Sequence, residues 1–277
     1  MKGKIIFISG STDGIGKQAT LELAKQGAHV IIHGRNEDKI KKTFDFIRSQ
    51  TENENIDFIQ ADMSSYKQIR AMSDELHKRY EKIDVLVNNA GVQIHDLQFS
   101  EDGIELTFAV NHFAYFYTTS LLLDLIAKSD YKRITIMSSS MHFRIEKFDF
   151  DYIQGKPEYS LYMYYAQSKL ANVLFGYKLS QVLKDSGITA NVLCPGLIDT
   201  NLNPKRPQHI VDRALPVEQG IISTMHAVTS PELNGVTGRF FTSEGIESKS
   251  SPASYNLDVQ EKLWILSEEL IGEKFHF

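Results

Sequence analysis

The chain has almost no cysteine: one, Cys194, in 277 residues. A single thiol excludes an internal disulfide framework and fits a reducing compartment. Its place in the apolar run "ANVLCPG" marks an inert, buried side chain. Basic blocks are missing too. Thirty Lys and Arg are interspersed with 35 Asp and Glu, for a formal charge of -5, which argues against a nucleic-acid surface. No stretch reaches the roughly 20 apolar residues that span a bilayer. The nearest, "FAYFYTTSLLLDLI" (Phe113–Ile126), is broken by threonines, Ser120 and Asp124. The N-terminal "KIIFIS" runs straight into a glycine-rich turn and does not read as a signal peptide. Nine histidines show neither H-E-x-x-H nor a cysteine cluster nearby, so no metal site is expected. These absences leave a soluble, cytoplasmic protein as the expectation, with no membrane span and no nucleic-acid partner.

What is present is an alternation of short β-branched runs and longer segments of helical period. Strands are predicted at Lys4–Ser9, His29–His33, Ile56–Gln60, Asp84–Val87, Arg133–Ser138, Thr189–Leu193 and Arg239–Thr242. Helical stretches such as Lys17–Gln26, Glu37–Ser49 and Tyr66–Arg79 lie between the earlier strands. Such alternation implies crossover connections between parallel strands, hence an α/β fold. The expected architecture is a single-domain Rossmann fold over residues 1–277, with a doubly wound, mostly parallel sheet of about seven strands flanked by helices. No repeat, linker or low-complexity tract divides it. Two segments interrupt the pattern: an aromatic and charged insert at 141–159, and a polar, basic segment at 199–215 containing Pro204 and Pro207. Both follow strand ends, where ligands bind in open α/β sheets. Phe143, Phe148, Phe150, Tyr152 and Tyr159 of the insert either build a local core or line an apolar pocket.

"SGSTDGIG" (Ser9–Gly16) joins the first strand to the first helix. In this setting Gly10, Ser11, Asp13, Gly14, Ile15 and Gly16 make a dinucleotide-binding turn. Gly10 permits the tight turn, and Gly14 and Gly16 allow close approach to a pyrophosphate at the helix N-terminus. At the end of the second strand stands "HGRN". A carboxylate there would bond a ribose 2′-hydroxyl; Arg35 can instead pair with a 2′-phosphate, with Ser11 or Asn36 as further donors. NADP(H) is therefore the preferred cofactor, with NAD(H) the alternative.

These features resemble the short-chain dehydrogenase/reductase superfamily, and the resemblance spans nearly the whole chain. "SGSTDGIG" is similar to its T-G-x-x-x-G-x-G turn, with Ser9 in place of threonine. "ADM" resembles the adenine-contacting motif, which implies Asp62 and Met63 beside the adenine. "NNAG" matches the hallmark that packs near the adenosine ribose and brings in Asn89, Ala90 and Gly91. Asn111 in "AVNHF" matches the asparagine of the catalytic tetrad, which implies a bound water relaying protons. "CPG" followed by Thr200 resembles the segment that meets the nicotinamide carboxamide, through Pro195, Gly196 and Thr200. "YYAQSKLANVLF" and "QEKLWILSEELIG" look most like the retinol-dehydrogenase-like branch.

The family's tyrosine-lysine pair has two candidates. Tyr152–Lys156 has the spacing from Ser139 common in shorter members, but Gly155 and Pro157 oppose a helix there. Tyr165–Lys169 lies in a stretch that Ser160 can cap and that runs to about Lys184, so the two side chains share a face. Tyr164 points roughly 100° away. In the chemistry implied, Tyr165 protonates the developing alkoxide during reduction and Ser139 hydrogen-bonds the same oxygen. Lys169 and the nicotinamide ring are expected to lower the phenol's pKa from its usual ~10. Lys169 is also implied to bind the nicotinamide ribose. Resemblance favours Ser139 as the catalytic serine, and Ser138 stays open because one residue of register reverses the face. His112 and His142 read as structural.

The sequence thus points to an NADP(H)-dependent oxidoreductase acting on a small, moderately apolar carbonyl or alcohol substrate. A noncatalytic dinucleotide-binding redox sensor and an NAD-preferring alcohol dehydrogenase are the alternatives. The apolar helices at 121–126 and 170–183 allow either a homodimer or burial by the sheet.

Overall fold

The computed structural model describes residues 1–276. Eight strands form one sheet: β1 (Ile5–Ile8), β2 (His29–Gly34), β3 (Ile56–Gln60), β4 (Val85–Asn88), β5 (Arg133–Met137), β6 (Thr189–Leu193), β7 (Phe240–Phe241) and β8 (Glu247–Ser248). Their order is β3-β2-β1-β4-β5-β6-β7-β8, parallel throughout except for the β7–β8 pair. The sequence implied about seven strands. The eighth is a two-residue, exposed return of the β7 hairpin, too short and polar to leave a periodic signal.

The helices are α1 (Gly14–Lys25), α2 (Glu37–Gln50), α3 (Tyr66–Arg79), α4 (Leu106–Phe108), α5 (Ala114–Ala127), α6 (Leu161–Val182), α7 (Gln208–Val211), α8 (Val217–Gly220), α9 (Ile222–Thr229) and α10 (Leu257–Ile271). A π-helical turn, Ala109–Phe113, joins α4 to α5. Local chemistry sets the starts of the first three. Asp13 accepts from the Gly14 N–H, Asn36 from Lys39 N–H at 2.9 Å, and Ser65 from Gln68 N–H at 3.3 Å.

Alternate residues of the central strands feed two cores. Phe7, Ile31 and Leu86 pack on one face; Ile6, Ile8, Val30, Ile32, Val85 and Val87 pack on the other. Burial on both faces is what makes these strands read as unbroken apolar runs. The insert adds a third core, in which Phe148 and Ile153 meet Phe108, Ala166, Leu170 and Leu263. Its aromatics thus divide unequally. Phe148 is buried there, Phe150 packs against the same cluster, and the rings of Tyr152 and Tyr159 lie 4.7 Å from that of Tyr164. Only Phe143 is half exposed among these five rings.

The C-terminal helix α10 covers α6, with Gln181 donating to Gln260 at 3.0 Å. Trp264 and Phe275 close against Phe116 of α5, with centroids 5.0 and 5.1 Å away. Both apolar helices named above as candidate dimer faces are therefore packed within the chain. No described helix is long and apolar enough to cross a membrane. Strand order reverses between β1 and β4, which opens a crevice at the C-terminal strand ends.

Candidate active site

A cleft of about 350 Å³ occupies that crevice. Its floor is the glycine turn. Gly10 has φ +66°, and a Cβ there would fall 2.7 Å from the Ala90 Cα. A Cβ on Gly16 would meet the Gly10 carbonyl at 2.3 Å, so the turn tolerates no side chain at either place. Ser9 knits the turn to β4: its hydroxyl accepts from the N–H groups of Asn89 (2.9 Å) and Ala90 (3.0 Å). Asn89 returns two bonds, to the carbonyls of Ser9 and Gly10. From below, His33 Nδ1 accepts from the Gly10 N–H at 3.0 Å. Burial pulls the His33 pKa down to about 4, so its ring is neutral and serves as a brace. Gly14, Ile15 and Gly16 line the cleft at the start of α1, where first-turn N–H groups lack intrahelical acceptors.

At one end, Arg35 and Lys39 reach the cleft with Thr12 and Gly34. Lys39 stands 3.9 Å from the Asp13 carboxylate. The other two candidate donors are placed differently. Ser11 is fully buried, with its hydroxyl accepting from His33 N–H at 2.7 Å, and Asn36 is occupied as the α2 cap. Neither lines the cleft. Asp62 and Met63 form a side wall; the Asp62 carboxylate accepts from the Ser64 N–H and hydroxyl in a tight turn. Asn89, Ala90 and Gly91 continue that wall. Pro195 and Thr200 close it from β6, whereas Gly196 turns away toward Ser243.

The other end holds a buried phenol and a buried ammonium. Tyr165 and Lys169 lie one turn apart on α6, 6% and 2% exposed respectively, and both line the cleft. The Lys169 ammonium donates to the Met137 carbonyl at 3.2 Å and sits 5.7 Å from the Tyr165 ring centre. Burial drops its pKa to about 7. Burial also raises the Tyr165 phenol to about 12, against the opposing pull of the Ser139 hydroxyl, the Arg206 charge and the Gln93 amide. The sequence led us to expect a lowered phenol. The protein's own groups give the reverse, because desolvation outweighs them and the half-neutralised Lys169 contributes no resolved pull.

The serines separate cleanly. Ser138 lines the cleft but spends its hydroxyl on the Lys169 carbonyl at 2.8 Å, while the Ser139 hydroxyl accepts from Met141 N–H at 3.3 Å and pulls the Tyr165 phenol's pKa downward. Asn111 sits fully buried on the π-turn. It accepts from Val92 N–H at 2.8 Å and donates to the Val92 carbonyl (3.1 Å) and the Ser168 hydroxyl (3.0 Å). A Cβ on Gly91 would lie 3.5 Å from the Asn111 oxygen and 3.7 Å from the Lys169 nitrogen, so the three converge. Tyr164 faces away, its hydroxyl on the Pro157 carbonyl at 2.8 Å. Tyr152 lies in the middle of a 3₁₀ turn closed by Gly155 at φ +67°, Lys156 pairs with Asp151 at 2.9 Å, and neither lines the cleft. His142 bridges the Ser139 carbonyl (2.6 Å) and Ser251 N–H (3.1 Å); His112 contacts the Ser267 hydroxyl at 3.2 Å.

Sequence reasoning missed Thr12, His33 and Lys39 at the nucleotide end, and Gln93, Asn201, Leu202 and Arg206 near the reacting end. Lys39 left a signal, since it follows Arg35 in the first turn of the next helix. Gln93 and Arg206 left none, because their proximity to Tyr165 depends on two loops meeting.

The short chain dehydrogenase family model matches residues 4–210, and the chain belongs to the short-chain dehydrogenase/reductase superfamily of nicotinamide-dependent oxidoreductases. Human polyprenol dehydrogenase is 33% identical, over 97% of this chain and 85% of its own length. Human retinol dehydrogenase 13 is 34% identical (98% and 85%), and the chloroplastic short-chain dehydrogenase TIC 32 B of Brassica napus 37% (96% and 88%). Such relatives place the chain in the retinol-dehydrogenase-like branch. Among solved structures, a Mycobacterium paratuberculosis protein superposes with a TM-score of 0.81 at 24% identity, covering 100% of this chain and 96% of that one. A Shigella flexneri short chain dehydrogenase complexed with NADP gives 0.71 at 23% identity (88% and 98%). At these identities both show the fold.

Proposed function

We propose that the protein is an NADP(H)-dependent oxidoreductase that interconverts a carbonyl and an alcohol on a small, moderately apolar substrate, with Tyr165 as the acid/base. The observation that carries the reading is that Tyr165 and Lys169, one turn apart on α6 with the Ser139 hydroxyl pulling on the phenol, line one end of a cleft whose other end presents Arg35 and Lys39. The intervening donor set fits a dinucleotide: first-turn N–H groups of α1 for a pyrophosphate, Asp62 and Met63 for the adenine, and Lys169 with Asn111 near the nicotinamide ribose. When bound, the nicotinamide supplies or accepts the hydride. Tyr165 delivers its phenolic proton to the substrate oxygen during reduction and recovers it during oxidation. Ser139 donates a hydrogen bond to the same oxygen as charge builds there. Lys169, poised near neutrality, stabilises the phenolate once proton transfer has begun.

Cofactor preference follows from the nucleotide end. Arg35 and Lys39, with Arg35 where a ribose-binding carboxylate would stand, favour a 2′-phosphate over a ribose hydroxyl. A panel of aldehydes and ketones followed by NADPH consumption tests the whole reading. Turnover with NADPH well above that with NADH supports it, and tight NADPH binding with no turnover of any carbonyl or alcohol points to the sensor instead.

A further inference from the structure

We propose that Asn201 latches the 199–215 segment across the cleft through its bond to Asp13, and that opening of this latch admits and releases the dinucleotide. This rests on the dinucleotide reading above and adds a gate to that site.

The segment rises on a fixed stem and meets the glycine turn at its tip. At the stem, the Asp199 N–H donates to the Leu215 carbonyl and the Leu215 N–H to the Leu197 carbonyl, both at 2.9 Å. Ile198 between them is buried, and its carbonyl accepts from Arg206 Nη1 at 3.0 Å. Helix α8 packs on the same place: a Cβ on Gly220 would fall 2.8 Å from Ile198 and 3.1 Å from Ile15 of α1. Further along, His95 Nε2 meets the buried Asn203 side chain at 3.1 Å, which ties the segment to the loop after β4.

At the tip, Thr200, Asn201 and Leu202 line the cleft together with Asp13 and Gly14. A Cβ on Gly14 would stand 3.0 Å from the Thr200 methyl, so segment and turn touch at the start of α1. One polar link crosses there: Asn201 Nδ2 donates to Asp13 Oδ2 at 3.0 Å. Among the described residues no other hydrogen bond or ion pair joins the segment to the turn. Asn201 is exposed, so water competes for this bond, whereas Ile198 and Asn203 at the stem are buried. Opening at the tip therefore costs least and leaves the stem in place.

Asp13 is held for this role from its other side. Its Oδ1 accepts from the Gly14 N–H at 2.8 Å, which fixes the carboxylate at the helix start. A dinucleotide lying from Arg35 and Lys39 at one end to Tyr165 and Lys169 at the other passes the point where tip and turn meet. Its passage in either direction breaks the same bond, and that bond is made by the chain's own atoms. Loosening the latch lowers the barriers to entry and exit alike and leaves the binding equilibrium nearly unchanged.

Stopped-flow mixing with NADPH, and displacement of bound NADPH by excess NADP+, read the two rate constants. Asn201→Ala should raise both by about 10-fold, with Kd within about 3-fold of wild type. Asn201→Asp sets two carboxylates against each other and should speed release at least as far. Adding Asp13→Asn restores an amide facing a carboxylate and keeps a capping side chain at α1; release should return to within about 3-fold of wild type. Wild-type rates in Asn201→Ala overturn the proposal. Faster release alone, with Kd weakened in proportion, also overturns it and makes Asn201 a plain contact to the cofactor. So does a double variant that releases NADPH as fast as Asn201→Asp. All three outcomes leave NADPH binding in place, whereas a wild-type protein that binds no NADPH removes the dinucleotide reading and the latch with it.

Discussion

Lys169 is buried in the cleft as a group whose charge desolvation disfavours, and replacing it by methionine removes that tension. An unfolded lysine titrates at 10.5, whereas the folded one is brought down to about 7 by desolvation. Between those values the unfolded chain holds one more proton than the folded chain, so stability rises with pH across the window. Each pH unit well inside it is worth about 1.4 kcal/mol, and half-protonation at the lower edge trims the gain from pH 7 to pH 9 to about 2 kcal/mol. Methionine fills much of the same volume and carries no proton. The Met137 carbonyl keeps a partner in the variant, since Asn172 also donates to it at 3.0 Å. Urea unfolding of the cofactor-free protein at pH 7 and pH 9 reads the effect. The wild type should gain about 2 kcal/mol more than Lys169→Met over that interval, titrating groups that do not interact with Lys169 cancelling in the comparison. Equal gains in the two proteins would refute the claim that Lys169 is held partly deprotonated.

Three other outcomes are expected. Gly16→Ala drives a Cβ to 2.3 Å from the Gly10 carbonyl, so it should lose NADPH binding in a titration and about 3 kcal/mol of stability or more. Arg35→Ala should weaken NADPH by roughly 10- to 100-fold and NADH by far less, read from the two dissociation constants; equal losses contradict the 2′-phosphate role. Ser139→Ala should cut kcat by roughly 100-fold. Ser138→Ala should instead cost about 1 kcal/mol of stability, through its lost bond to the Lys169 carbonyl, and the opposite pattern would reassign the serine.

Much of the fold was legible because its signals are local. The runs at β1 and β2 are apolar on both faces, and Asp13, Asn36 and Ser65 sit where helix starts need an acceptor. That Tyr165 and Lys169 share a helix while Tyr152 and Lys156 do not was legible for the same reason: Gly155 and Pro157 deny the second pair a helix, and the chain there makes only a 3₁₀ turn. What the sequence did not show depends on contacts between distant segments. Ser11 reads as a cleft donor until β2 takes its hydroxyl. The phenol's upward shift needs the burial that α6 acquires only in the folded chain. The loops that carry Gln93 and Arg206 are joined by a clamp between residues 108 positions apart, His95 and Asn203. No periodicity announces such a contact. The aromatics of the insert were ambiguous until Phe148 settled against Phe108.

The central claim is that Tyr165 moves the proton in a cleft that binds the dinucleotide without it. Turnover and NADPH affinity of Tyr165→Phe, measured on the same preparation with the best carbonyl of the panel, test it most directly. In that variant kcat should fall by roughly 1,000-fold while the NADPH dissociation constant stays within about 3-fold of wild type. A variant that still reduces the carbonyl near the wild-type rate would contradict it.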